Sequence, residues 1–127
     1  MAALLDTNVI IRFLTGDDEK LFAKSVAIFR KIERGETEAV ILDTVLMEVL
    51  FVLTKLYGFP KSEVVRDLKA LLTLPGVVNA DKVVLAEALT IHEEKNLDFV
   101  DALICAKSRL QGYGFLSFDE KLKKRCK

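Results

Sequence analysis

Four carboxylates occupy positions where a carboxylate needs a reason. Asp6 closes the apolar run Ala2-Ala3-Leu4-Leu5, and Glu48 interrupts the apolar stretch from Val45 to Leu53. Asp101 follows Asp98 at the start of a helical pattern, and Asp119 closes the run Phe115-Leu116-Ser117-Phe118. Carboxylates gathered in one place repel one another, so a fold that collects them generally needs a cation to offset the repulsion. Oxygen ligands without thiol or imidazole select Mg2+ or Mn2+. Zinc is disfavoured because the only histidine, His92, lies in the charged stretch His92-Glu93-Glu94-Lys95, where it reads as a solvated surface imidazole without a matching Cys or His. The same lone histidine argues against a Ser-His or Cys-His nucleophile. Gly-rich phosphate loops of the P-loop or dinucleotide type are absent.

Each acid also has a purely structural reading. Asp, Thr and Asn are favoured at helix N-termini because their oxygens accept otherwise unpaired backbone N–H groups, which suits Asp6-Thr7-Asn8. Asp98 reads as an N-cap and Asp101 as a first-turn acid favoured by the helix dipole. Asp119, ahead of Glu120 and a helical tail, suits a cap equally well. Glu48 is the hardest to dismiss, because an ionised carboxylate among Val45, Leu46, Met47, Val49 and Leu50 is expensive to bury unless it is paired or metal-bound.

The elements that position these acids follow from periodicity. The apolar run before Asp6 reads as a short strand feeding a helix that ends near Leu14, before Gly16. Residues 19–34 form an amphipathic helix through Phe22, Val26, Phe29 and Ile32. Ala39-Val40-Ile41-Leu42 is a second strand stopping at Asp43, ahead of a helix from Val45 to Tyr57 that is apolar almost all round and therefore expected to be deeply buried or to meet a partner. After Gly58-Phe59-Pro60 come a helix from Lys61 to Leu74, a short strand at Val77-Val78, and helices over 81–95 and 98–110. Phe115 to Phe118 reads as a last β-type run ending at Asp119, which precedes the basic tail Lys121 to Lys127. Short apolar strands alternating with helices predict a parallel sheet covered on both faces, a three-layer α/β/α sandwich with a short central parallel sheet. In such sheets ligands bind outside the carboxyl ends of the strands, so Asp6 and Asp119 are expected to face one crevice.

Composition bounds the rest. With 127 residues the chain is expected to form a single domain over 1–127. The 19 basic residues balance 19 acidic ones, which argues against nucleic-acid binding through bulk positive charge alone. The longest apolar run is far too short for a membrane span. Cys105 and Cys126 form no metal-type pair and no dense disulfide framework, and with no export segment after Met1 the expected location is the cytoplasm.

The order Asp6-Thr7-Asn8, Glu48 in an apolar helix, Asp101-Ala102-Leu103-Ile104, then Ser117-Phe118-Asp119 resembles the PIN domain, especially the VapC toxins of toxin-antitoxin pairs. The resemblance covers essentially the whole chain and is carried by four motifs in order, each weak alone. It implies a five-stranded α/β/α sandwich and a Mg2+- or Mn2+-dependent ribonuclease in which Asp6, Glu48, Asp101 and Asp119 form the acidic, metal-holding quartet. Asn8 and Ser117 would be polar supports, and Ser117 stands where the family often has Thr. The chemistry suited to these residues is hydrolysis of RNA phosphodiester bonds by metal-activated water. Substrate phosphates need cations, for which Arg12 is the leading candidate, with Lys107, Arg109 and the tail bases Lys121, Lys123, Lys124, Arg125 and Lys127. The resemblance further implies a VapB-like antitoxin, a homodimer, and transfer or ribosomal RNA as target. Two other classes fit strand-end acids: a Mg2+-dependent phosphoryl-transfer or receiver-type α/β domain, and a non-catalytic PIN-fold binding module.

Overall fold

The two apolar runs that end at acids pair with each other. β1 (Ala3–Leu4) lies parallel to β2 (Ala39–Val40), with Ala3 opposite Ala39 and Leu4 opposite Val40. Val77 adds a parallel bridge to Ala39. The computed structural model describes residues 1–126, so Lys127 of the basic tail lies outside the described residues. The chain divides into two compact units, Met1–Ala80 and Asp81–Lys127.

In the first unit, β1 feeds α1 (Thr7–Thr15), which stops where Gly16 takes a left-handed φ of 63°. α2 (Glu19–Glu33) begins at an N-cap, Asp18, whose side chain accepts from the Leu21 N–H. Phe13 of α1 stacks on Phe29 of α2 with ring centroids 4.4 Å apart. β2 runs into α3 (Asp43–Phe51), which continues as one wider, π-type turn over Val52–Leu56 before α4 (Lys61–Leu72). Ile10, Ile32, Ile41, Leu46, Leu53, Leu68 and Leu72 form the buried centre. Past β2 the pairing is extended by a side chain: Asn79 accepts from the Ile41 N–H at 2.9 Å and donates to the Ile41 carbonyl at 2.7 Å. Asn79 thus stands in for a neighbouring strand and satisfies both backbone groups of a fully buried residue. Gly76 is required just before it, because a Cβ there would run into the carbonyl oxygens of Thr37 and Ile32.

In the second unit, α5 (Lys82–Glu94) and α6 (Phe99–Gln111) pack through Val84, Leu85, Ala88, Leu89 and Ile91 against Phe99, Ala102, Cys105 and Ala106. α7 (Glu120–Arg125) follows an irregular segment and buries Leu122.

Four expectations need correction. The segment 115–118 forms no strand among the described residues, and Leu116 and Phe118 are wholly exposed, so Asp119 stands at a helix start and not at a strand end. The helix around Glu48 is buried on one face only: Leu46, Val49 and Leu50 point inward, whereas Met47, Glu48 and Phe51 are exposed. Cys105 and Cys126 are joined as a disulfide, with Cα atoms 5.5 Å apart. His92 is half-buried, its Nδ1 standing 2.6 Å from the Leu97 carbonyl and its ring edge-on to Phe99, so Nδ1 carries the proton it donates there. No helix is long and apolar enough to cross a membrane, among the described residues.

Candidate active site

Asp6 occupies the N-cap position of α1 in extended backbone, yet its side chain makes no cap hydrogen bond and is exposed. Capping therefore does not account for it. Thr7 behind it is buried, and Asn8 is exposed one turn before Arg12 on the same helical face. Glu48 stands on the exposed side of α3, so the cost of burying its charge does not arise. α1 and α3 pack on one another within the first unit.

Arg12 is part of a network that no local pattern in the sequence reveals. Its guanidinium donates to Asp17 Oδ1 at 3.0 Å, and the Thr15 hydroxyl donates to the same oxygen at 2.8 Å. The Tyr57 hydroxyl, brought from forty residues away, donates to Asp17 Oδ2 at 2.7 Å. These bonds, Tyr57 first and Thr15 next, hold the Asp17 pKa down at about 2, while the Tyr57 pKa is raised by the carboxylate it serves. Arg12 thus keeps its cation beside a carboxylate that stays ionised, and its Nε is buried without a hydrogen-bond partner. Asn8, Arg12 and Lys24 line a shallow groove of about 290 Å3 whose other wall includes the apolar Leu21 and Ile28.

The second unit holds the other two candidate acids, and the charge of one acts on the other. Asp101 lies in the first turn of α6 and Asp119 caps α7, accepting from the Lys121 and Leu122 N–H groups at 2.9 and 3.2 Å through one oxygen, Oδ1. The cap reading of Asp119 is therefore correct as far as that oxygen goes. Ser117 supports the turn, its hydroxyl accepting from the Asp119 N–H at 2.9 Å. Asp98 holds the N-cap position of α6 but makes no side-chain cap bond. The Asp101 pKa is raised by partial burial, then by the charges of Asp119 and Asp98, with Lys121 alone opposing. An uncompensated carboxylate cluster of this kind, oxygen donors only, suits a hard divalent cation. Among the described residues no three His, Cys, Asp or Glu side chains stand together as a complete metal site. Asp98, Asp101 and Asp119 all lie in the second unit, where the charges of Asp119 and Asp98 act on Asp101. Asp6 and Glu48 are placed in the first.

Sequence reasoning missed Asp17, Tyr57, Asn79 and the disulfide. Thr15-Gly16-Asp17-Asp18 was legible as a turn but not as the carboxylate that fixes Arg12.

Comparison with known proteins adds one match. The PIN domain family model covers residues 3–127. No curated protein and no solved structure matches the chain. PIN domains are generally nucleases that use a divalent metal, and their fold agrees with the helices and short parallel sheet seen here. With a match over nearly its whole length, the chain belongs to the PIN domain family, a nuclease-type α/β fold.

Proposed function

We propose that this PIN domain is a Mg2+- or Mn2+-dependent endoribonuclease and the toxin of a VapBC-type pair, acting in the cytoplasm on structured RNA such as transfer or ribosomal RNA. The observation that carries the reading is Asp101 at the start of α6, a half-buried carboxylate whose pKa is raised by that burial and then by the charges of Asp119 and Asp98, with Lys121 opposing. Nothing structural is gained by that repulsion, whereas a cation relieves it.

Asp6, Glu48, Asp101 and Asp119 are the acidic set that would hold the metal, which when bound supplies charge neutralisation and acidifies water for attack on phosphorus. The chain's own residues do the rest. Ser117 fixes the backbone at Asp119 and so aims that carboxylate. Asn8, exposed beside Asp6, orients a carboxylate or the attacking water by hydrogen bonding. Glu48, exposed on α3, completes the shell or accepts the proton from that water. Arg12, locked by Asp17, offers a preorganised guanidinium to a substrate phosphate. A VapB-like antitoxin and a homodimer complete the proposal, supported by the same family reading.

Calorimetric titration of the metal-free protein with Mn2+ tests the acidic set. Binding should weaken sharply in Asp6→Asn and in Asp119→Asn, and unchanged binding in both would remove the site. Sequencing RNA 5′ ends after brief induced expression tests the substrate: enriched cut sites in transfer or ribosomal RNA are expected, and none would count against an RNA toxin.

A further inference from the structure

We propose that the Cys105–Cys126 disulfide is a redox latch that fastens α7, with Asp119 at its start, onto α6, which carries Asp101, and that reduction by a dithiol releases α7. The consequence for metal binding rests on the functional reading above, but the latch itself does not.

α7 has few other attachments. It is a six-residue helix, too short to persist without tertiary contacts. Its buried anchor is Leu122. The segment leading into it is irregular, and Leu116 and Phe118 are 103% and 104% exposed, so neither of these side chains packs it down from that side. At its far end the Cys126 carbonyl accepts from Arg109 of α6 at 3.3 and 3.1 Å, beside the disulfide. Arg125 reaches the Lys95 and Asn96 carbonyls at 2.8 and 3.0 Å, but at the surface, where water competes. Cys105 stands four residues after Asp101, on the same face of α6. The covalent tie therefore holds α7 against the face that presents Asp101, and removing it leaves Leu122, the part-buried Arg109 bonds to the Cys126 carbonyl and the exposed Arg125 contacts to do so.

In a reducing compartment such a bond is conditional, which is how cytosolic disulfides usually act when they occur. The exchange balances without a metal. A thiolate of the dithiol attacks the Sγ of Cys126, the less buried of the two residues, and the Cys105 thiolate leaves and is protonated. The second thiol of the reductant then displaces Cys126. Cys105 and Cys126 end as thiols, having gained two electrons and two protons, and the dithiol ends as a disulfide.

The test is amide hydrogen exchange on the full-length, metal-free protein, oxidised and after dithiothreitol, with Mn2+ calorimetry on the same samples and Cys126→Ser as a permanently open control. Reduction should speed exchange at Leu122, Lys123 and Cys126, whose N–H groups are bonded within α7, on the order of tenfold or more, while α5 and α6 keep their protection. Reoxidation with diamide should restore it, and Cys126→Ser should exchange fast whether or not reductant is present. Mn2+ affinity should fall in step with α7 release. Unchanged exchange across α7, or equal loss of protection across α5, α6 and α7 as expected of a plain stabilising staple, would overturn the latch. Released α7 with Mn2+ bound equally tightly would overturn its link to the site. Released α7 in a protein that binds no Mn2+ in either state would leave the latch standing and remove the metal-dependent reading.

Discussion

Replacing Asn79 by Ala removes one side chain and leaves two backbone groups of Ile41 without partners, in a residue that is fully buried. An unsatisfied buried donor or acceptor costs about 1–3 kcal/mol, so the two together should destabilise the protein by roughly 2–6 kcal/mol. That is a large share of the 5–15 kcal/mol or so that holds a domain folded. Urea denaturation should show the midpoint falling by on the order of 1 M or more at nearly constant slope. Asn79→Asp sharpens the test. At neutral pH the introduced carboxylate still accepts from the Ile41 N–H, but its other oxygen faces the Ile41 carbonyl. When protonated, it donates to that carbonyl as the amide does. Its folded pKa is therefore raised, so its contribution is fully present below the unfolded carboxyl value, about 3.9, and is lost as pH rises through the folded value. The deficit of Asn79→Asp relative to wild type at the same pH should accordingly shrink on acidification, whereas that of Asn79→Ala should not. A cost below about 1 kcal/mol for Asn79→Ala, or a pH-independent deficit for Asn79→Asp, would refute the strand-substitute role of this amide.

Other expectations follow from the same contacts. Because the Asp17 pKa is depressed to about 2, its contribution to stability is present above the unfolded value and is lost as pH falls toward 2; Tyr57→Phe removes the largest cause, so carboxyl NMR should find Asp17 titrating at higher pH in that variant. Metal-free Asp101→Asn should be at least as stable as wild type at pH 7, since the raised pKa of Asp101 makes its contribution one that is present at low pH and lost as pH rises through the folded value. A first-turn acid serving only the helix dipole would instead lose roughly 0.3–1 kcal/mol in the same unfolding measurement.

Much of this arrangement is legible in the residues because local rules and tertiary packing agree there. The apolar runs before Asp6 and Asp43 pair as strands, and the three- and four-residue spacings of α4 and α5 point the expected side chains inward; in α2 Phe29 and Ile32 turn inward but Phe22 is exposed, and in α6 the buried face is Phe99, Ala102, Cys105 and Ala106 while Val100 is exposed. Glu48 shows where such reading stops. Residue type marks α3 as apolar on all sides, but only packing decides that Leu46, Val49 and Leu50 turn inward while Met47 and Phe51 meet solvent beside Glu48. Phe115 to Phe118 alternates like a strand, yet a strand exists only where a ladder partner does, and among the described residues it has none. The Tyr57 to Asp17 bond and the Cys105 to Cys126 bridge join residues far apart in sequence, through geometry that no local pattern encodes. For the acids, the residues already suggested both a capping role for Asp119 and its grouping with Asp101, but not that capping takes only one oxygen or that the charge of Asp98 also acts on Asp101.

The central claim is that these carboxylates do chemistry on RNA. Purified wild-type protein and Asp101→Asn should be incubated with total transfer and ribosomal RNA, with Mg2+ or with a chelator, alongside metal-free unfolding of both. Wild type should cleave only with the metal, and Asp101→Asn not at all although it is folded and at least as stable. An Asp101→Asn protein that is destabilised yet fully active, or wild-type cleavage that survives the chelator, would contradict it.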